Sequence, residues 1–188
     1  MDTAMAYKSE REDYEIINGK IYMMARPNIN HDQIQGNVRN AFKNYLRGKR
    51  CRSFGEVDVF LGDDNVVPDA IIVCNPDIIE ENGIHGTPDL VVEILSPSTG
   101  QRDKFEKREL YEKFGVKEYW IIDPFSKSVE VYLLKDGKLT LNNFYMVYRD
   151  YEWARLTDEQ KAAAQLEIKV SLYDDFVIKL DDIFEDVK

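Results

Sequence analysis

The run Leu90-Val91-Val92-Glu93-Ile94-Leu95, entered at Asp89 and closed by Ser96-Pro97, constrains this chain more than any other stretch. A short apolar run bounded by polar and turn residues reads as a strand buried on both faces, of the kind found inside covered sheets. An ionised carboxylate inside such a strand costs several kcal/mol unless a cation or strong hydrogen-bond donors receive it. The sequence therefore has to supply a partner for Glu93.

Asp89 shares a strand face with Glu93, but four residues at strand rise separate their Cα atoms by about 13 Å, too far to share one small ion. It is expected to be the solvated entry residue of the strand. Asp69 is better placed, in the preceding strand-like run VVPDAIIV (66–73). Pro68 cannot donate to a sheet ladder, so it marks a strand start, edge or bulge where a side chain is re-aimed. A cation can come from the helix expected over 102–114, stopped at Gly115. At 100° per residue, Asp103 and Lys107 fall in the arc of Leu110, Tyr111 and Phe114, the face that packs on the sheet. The lysine stem can lie along apolar surface while its ammonium reaches the strand end. Asp69, Glu93 and Lys107 then meet at one sheet edge. The plainer reading is a structural Glu93–Lys107 salt bridge, with Asp69 a turn residue.

Other segments alternate in the manner of a compact α/β (α+β) chain. YEIINGKIYMM (14–24) is a hairpin about Asn18-Gly19, and a helix capped by Asn30 carries Ile34, Val38, Phe42 and Leu46 to an end near Gly48. EVDVFLG (56–62) reads as a strand, Asp63-Asp64-Asn65 as a turn, and NPDIIEENGIHGTP as a loop. Strands follow over 118–123, 128–135 and 138–148, the last two joined at Asp136-Gly137. A short capped helix is expected in 156–165, then a strand and a terminal turn. At 188 residues and 44% hydrophobic, without repeats or linkers, residues 1–188 are expected to form a single domain. No apolar run approaches the roughly 20 residues that span a bilayer. The segment MDTAMAYKSERED lacks the plan of a secretory signal, so a cytoplasmic protein with Cys51 and Cys74 as free buried thiols is expected. A formal net charge of −10 argues against broad, non-specific nucleic-acid binding. A polyanion needs metal ions or a local basic patch, such as Lys43, Arg47, Lys49, Arg50 and Arg52, or the Arg102–Lys113 cluster, although either can be a solvated helix face.

PDAIIV, then PDLVVEILSPST, the spacing Asp103-x-x-x-Lys107-x-x-x-Tyr111, and GVKEYWIIDP (115–124) together resemble the Uma-type restriction endonuclease family. That family lies within the PD-(D/E)XK phosphodiesterase superfamily, and the resemblance runs from near Tyr14 to about Val131. It implies a restriction endonuclease-like mixed β-sheet flanked by helices, with an N-terminal β-hairpin. It implies Asp69 and Glu93 as the two motif carboxylates. Leu95 stands where the superfamily motif has lysine, and the resembling family supplies that lysine from the next helix, matching Lys107. His31 matches a family histidine, while Glu56 and Asp103 are secondary candidates.

The implied activity is a metal-dependent endonuclease hydrolysing phosphodiester bonds in nucleic acid, with DNA the expected substrate. Asp69, Glu93 and the backbone carbonyl of Ile94 hold Mg²⁺ (or Mn²⁺), and Lys107 positions water or stabilises charge. A homo-oligomer is compatible with the resemblance, and no membrane partner is expected. A catalytically silent interaction module on the same fold is the alternative. A carboxylate-pair glycosidase fits poorly, because an ammonium beside the acids opposes a general-acid role.

Overall fold

A computed structural model describes residues 14–97 and 99–188. The N-terminal residues 1–13, which carry the expectation about a secretory signal, and Ser98 of the SPST run lie outside the described residues.

Strands β1 (Tyr14–Ile17) and β2 (Lys20–Met23) form the expected hairpin. Asn18 and Gly19 both have positive φ, as a tight two-residue turn between twisted strands requires. Helix α1 (Ile29–Leu46) begins earlier than expected. Asn28, not Asn30, caps it by accepting the His31 N–H at 3.0 Å. The Asn30 side chain is instead spent on the Lys188 backbone.

After α1 come β3 (Arg52–Phe54), β4 (Val59–Leu61), β5 (Asp64–Val66) and β6 (Ala70–Val73). The turn falls on Gly62-Asp63 rather than 63–65, because Gly62 takes a left-handed φ of 64°. The single run expected over 66–73 is split at Val67-Pro68-Asp69. The stretch read as a loop holds a short hairpin, β7 (Ile79–Glu80) with β8 (Gly83–His85).

The Glu93 strand is β9 (Leu90–Ile94). It is followed by α2 (Gly100–Arg102), a π-helical turn over Asp103–Lys107, and α3 (Arg108–Phe114), where the sequence reading has one regular helix. Strands β10 (Glu118–Asp123), β11 (Ser128–Lys135) and β12 (Lys138–Met146) follow. The chain closes with α4 (Asp150–Trp153), α5 (Asp158–Ala163), the hairpin β13 (Glu167–Lys169) and β14 (Val177–Lys179), and α6 (Leu180–Ile183).

Two six-stranded mixed sheets result, ordered β2-β1-β5-β4-β8-β7 and β12-β11-β10-β9-β6-β3. Pro68 lies between β5 of the first sheet and β6 of the second. In the second sheet β9 runs parallel to β10 and antiparallel to β6, and all five of its residues are buried. Its side chains alternate between two cores. Leu90, Val92 and Ile94 pack with Ile34, Val38 and Phe42 of α1. Val91 packs with Leu110, Tyr111 and Ile17 on the other side, and Glu93 shares that face.

Cys51 and Cys74, expected as free thiols, form a disulfide. The antiparallel pair Arg52↔Val73 puts them on facing positions. The three-residue β3 carries too little pattern to reveal that pairing in the sequence. No helix among the described residues is long and apolar enough to cross a membrane.

Candidate active site

Pro68 determines how Asp69 is presented. The β6–β9 register Ala70↔Val92 would next bring Asp69 opposite Glu93, on the same sheet face. The Pro68 carbonyl is taken by the Glu56 N–H at 3.0 Å. The Ile94 N–H goes instead to the Asp69 carboxylate, Oδ2 accepting at 2.7 Å. Two buried residues one turn apart on α1 steady the other side of Asp69. Gln35 Nε2 donates to its carbonyl at 3.2 Å, and His31 Nε2 lies 3.3 Å from Oδ1. Gly55 is required here, since a Cβ at that position would come within 2.5 Å of the Asp69 carbonyl oxygen.

Glu93 is 3% exposed and Lys107 is 4% exposed. Glu93 Oε1 accepts from Lys107 Nζ at 2.9 Å and from the Tyr111 hydroxyl at 2.6 Å. The same ammonium lies 2.7 Å from Glu15 Oε1 and 3.7 Å from Asp103 Oδ1. Glu15 in turn accepts the Val67 N–H at 3.0 Å and faces Arg102 at 3.2 Å. The π-turn has a geometric consequence for this cluster. Residues four apart drift by about 40° around an α-helix, and a wider turn winds less per residue and sets the drift back. Asp103, Lys107 and Tyr111 therefore all stay on the buried face. Tyr119, fully buried, donates its hydroxyl to the Asp103 carbonyl at 2.9 Å.

Three carboxylates (Glu15, Glu93 and Asp103) thus share Lys107, Arg102 adds a second cation at Glu15, and Asp69 faces His31. Burial pushes the Glu93 pKa well above its usual range; Lys107 opposes this, while Asp103, Asp69 and Glu15 add to it. Asp103 is raised for the same leading reason. Burial works against the charged form of Lys107, but Glu93, Glu15 and Asp103 outweigh it and raise its pKa above the ordinary lysine value. Within the Glu93–Lys107 pair, then, the charge is favoured on the lysine and disfavoured on the glutamate. Three carboxylates face the ammonium at once, whereas Glu93 shares that ammonium with Glu15 and Asp103. Burial also lowers His31, yet its hydrogen bond to Asp69, the Asp69 charge and the Ile94 carbonyl leave its pKa raised. Its Nδ1 and Asp103 Oδ1 are buried without a hydrogen-bond partner.

A cavity of about 190 Å³ opens onto this cluster, lined among others by Glu15, His31, Asp69, Glu93, Ile94 and Lys107. Asp69, Glu93, Lys107, His31 and Asp103 are therefore brought together. Glu56 lines the cavity but is itself exposed, with a φ of 52°. Sequence reasoning missed Glu15 and Gln35, and placed Arg102 in a basic patch rather than opposite Glu15. The signal for Glu15 is present, since it shares the inward face of YEII with Ile17. Asp89, expected to be solvated, accepts from the Cys74 N–H and Lys117 Nζ, both at 2.7 Å.

Sequence comparisons and one solved structure show what this chain is similar to. The Uma2 family model, described as "Putative restriction endonuclease", matches residues 3–168. An uncharacterized protein from Synechocystis, slr1290, is 29% identical over 131 residues, covering 68% of this chain and 69% of that protein. The crystal structure of "a putative nuclease belonging to DUF820" from Anabaena variabilis aligns with a TM-score of 0.70 at 25% identity. The alignment covers 91% of this chain and 89% of that one.

Proposed function

This chain belongs to the Uma2 family, whose description is "Putative restriction endonuclease", and on that premise we propose that it is a divalent-cation-dependent endonuclease that hydrolyses phosphodiester bonds in DNA, with Asp69, Glu93 and Lys107 as catalytic residues. One observation carries the reading: Asp69, just before β6, and Glu93 of the adjoining β9 line one cavity with an ammonium 2.9 Å from Glu93.

The residues fit a hard divalent ion. The available donors, Asp69, Glu93 and the Ile94 carbonyl, are oxygens, and the surrounding carboxylates outnumber the cations. Burial raises the Glu93 pKa, and a cation beside its carboxylate counters that by favouring the charged form. Among the described residues, no three His, Cys, Asp or Glu side chains are grouped so as to hold an ion by themselves. Two carboxylates and one carbonyl suit Mg²⁺ (or Mn²⁺), which keeps several waters for itself and for substrate phosphate. Held there, the cation supplies polarisation of a phosphoryl oxygen and a water of lowered pKa. Lys107 stays protonated and cannot act as a base, so it donates to the attacking water or to the charge developing on phosphate. Tyr111 fixes Glu93, and His31 with Gln35 fixes Asp69.

The second reading is a silent interaction module, favoured by the fact that Lys107 and Tyr111 already satisfy Glu93 Oε1. Purified protein incubated with DNA in Mg²⁺ or Mn²⁺ separates the two. Wild type is expected to cut and to stop on chelation, while Asp69→Ala and Glu93→Ala proteins, prepared identically, are expected to be inactive. Equal activity in variants and wild type removes the enzyme reading and exposes a contaminant.

A further inference from the structure

A second and larger cavity, about 910 Å³, adjoins the acidic one and shares Asn28, Ser96 and Pro97 with it as common wall. Its far wall is the β10–β11 turn, Pro124–Lys127, together with Tyr148 and Arg149 beyond β12. The turn belongs to the catalytic edge of the sheet, since Ile122, two residues before Pro124, is register-paired with Ile94. At its tip Phe125 is 92% exposed. A lone exposed apolar side chain is ordinary on a protein surface. This one is held out by a braced turn: Asp123 accepts from the Phe125 N–H at 2.9 Å and the Ser126 hydroxyl at 2.8 Å. Lys127, Arg149 and Lys188 bring three basic side chains to this cavity against the two acids Asp123 and Asp150, in a chain whose net charge is −10.

We infer that this cavity is the path of single-stranded DNA toward Asp69 and Glu93, with an unpaired base stacked on Phe125 and the backbone phosphates received by Lys127 and Arg149. The inference rests on the nuclease reading and narrows its substrate. Stacking needs a free base face, which a paired helix does not offer, and an aromatic platform beside cations is how sequence-tolerant single-strand sites are built. An acidic protein also lacks the broad basic surface that a duplex backbone requires. A groove whose basic side chains outnumber its acids by three to two can still thread one strand. The volume lies in the range of pre-formed ligand sites, about 300–1,000 Å³.

The test is binding, measured by fluorescence anisotropy of a labelled oligothymidylate and of a duplex of equal length, at low ionic strength with a chelator present so that no cleavage intervenes. Wild type is expected to prefer the single strand. Phe125→Ala is expected to weaken that binding about tenfold, within the range that loss of one base stack produces. Phe125→Trp is expected to retain binding and to show indole quenching as the strand is added, a signal that a merely structural residue would not give. Preference for duplex, or unchanged binding in Phe125→Ala, overturns the inference. Cleavage assays on the same proteins keep the two failures apart. If Asp69→Ala abolishes DNA cutting while Phe125→Ala leaves single-strand binding intact, the nuclease stands and the groove falls.

Discussion

Replacing Glu93 by Gln separates a metal site from a structural salt bridge. Removing one partner of a buried ion pair typically costs about 3–5 kcal/mol, because the other charge is left uncompensated. Here Lys107 would not be stranded, since Glu15 stays at 2.7 Å and Asp103 at 3.7 Å. Tyr111 keeps an acceptor in the amide oxygen. Repulsion from Asp69, Asp103 and Glu15 is relieved, and the cost of burying the Glu93 charge disappears. The expected change in stability is therefore small, about 1 kcal/mol or less in either direction, well under the usual penalty for breaking a buried pair. The wild type should respond to metal where the variant does not. A cation at 100 times its Kd stabilises the folded state by about 2.7 kcal/mol, which for a chain of this length raises Tm by about 5–11 °C. Thermal unfolding followed by circular dichroism, with and without Mg²⁺ or Mn²⁺, reads both quantities. A loss of 3 kcal/mol or more in Glu93→Gln, with no metal shift in wild type, would refute this reasoning in favour of the bridge.

Lys107→Ala leaves Glu15, Glu93 and Asp103 without their shared ammonium, so a cost of about 3–5 kcal/mol is expected in urea unfolding, shrinking on acidification as protons replace the lysine. The metal-induced rise in Tm should survive in that variant while DNA cutting is lost. For pH, Glu93, Asp103 and His31 all have folded pKa values raised above their ordinary ones. Their contribution is then fully present below the ordinary values and lost as pH rises through the folded ones. In chelator the urea midpoint should fall as pH rises from mildly acidic, and saturating Mg²⁺ should flatten that fall. The Cys51–Cys74 disulfide closes a loop with a sequence separation of 23. Loop-closure entropy puts its contribution at about 3 kcal/mol, so reduction, or the Cys51→Ser/Cys74→Ser double variant, should lower stability by that order in urea unfolding.

How much of this was legible in the sequence depended on whether the signal was local. Strands β10 and β11 were read to the residue, because apolar runs bounded by Gly115, Pro124 and Asp136-Gly137 mark their own ends. The convergence of Asp69 and Glu93 was legible because Pro68 marks a break in the ladder and Glu93 is out of place in a buried strand. Lys107 came from helical periodicity, and the π-turn that preserves its direction leaves no mark in that periodicity. Glu15 was missed, and Arg102 read only as part of a basic patch, for a different reason. Each meets Lys107 or its partners only through the stacking of the hairpin sheet against the helical stretch, a contact 87 residues apart in sequence between the two. The disulfide was missed likewise, since β3 is three residues long and its register with β6 is set by tertiary packing. Asn30 lost the cap to Asn28 because the C-terminal backbone competes for its side chain.

A crystal of the wild-type protein soaked in Mn²⁺ and measured at a wavelength that reports manganese by anomalous scattering tests the central proposal without knowledge of the substrate. The predicted result is one strong peak about 2.1–2.2 Å from a carboxylate oxygen of Asp69, a carboxylate oxygen of Glu93 and the Ile94 carbonyl oxygen, with the remaining positions taken by water. Lys107 should remain beside Glu15 in that crystal. A cavity free of manganese, with Glu93 still closed on Lys107 and Tyr111 under a soak that loads other sites, would contradict the account.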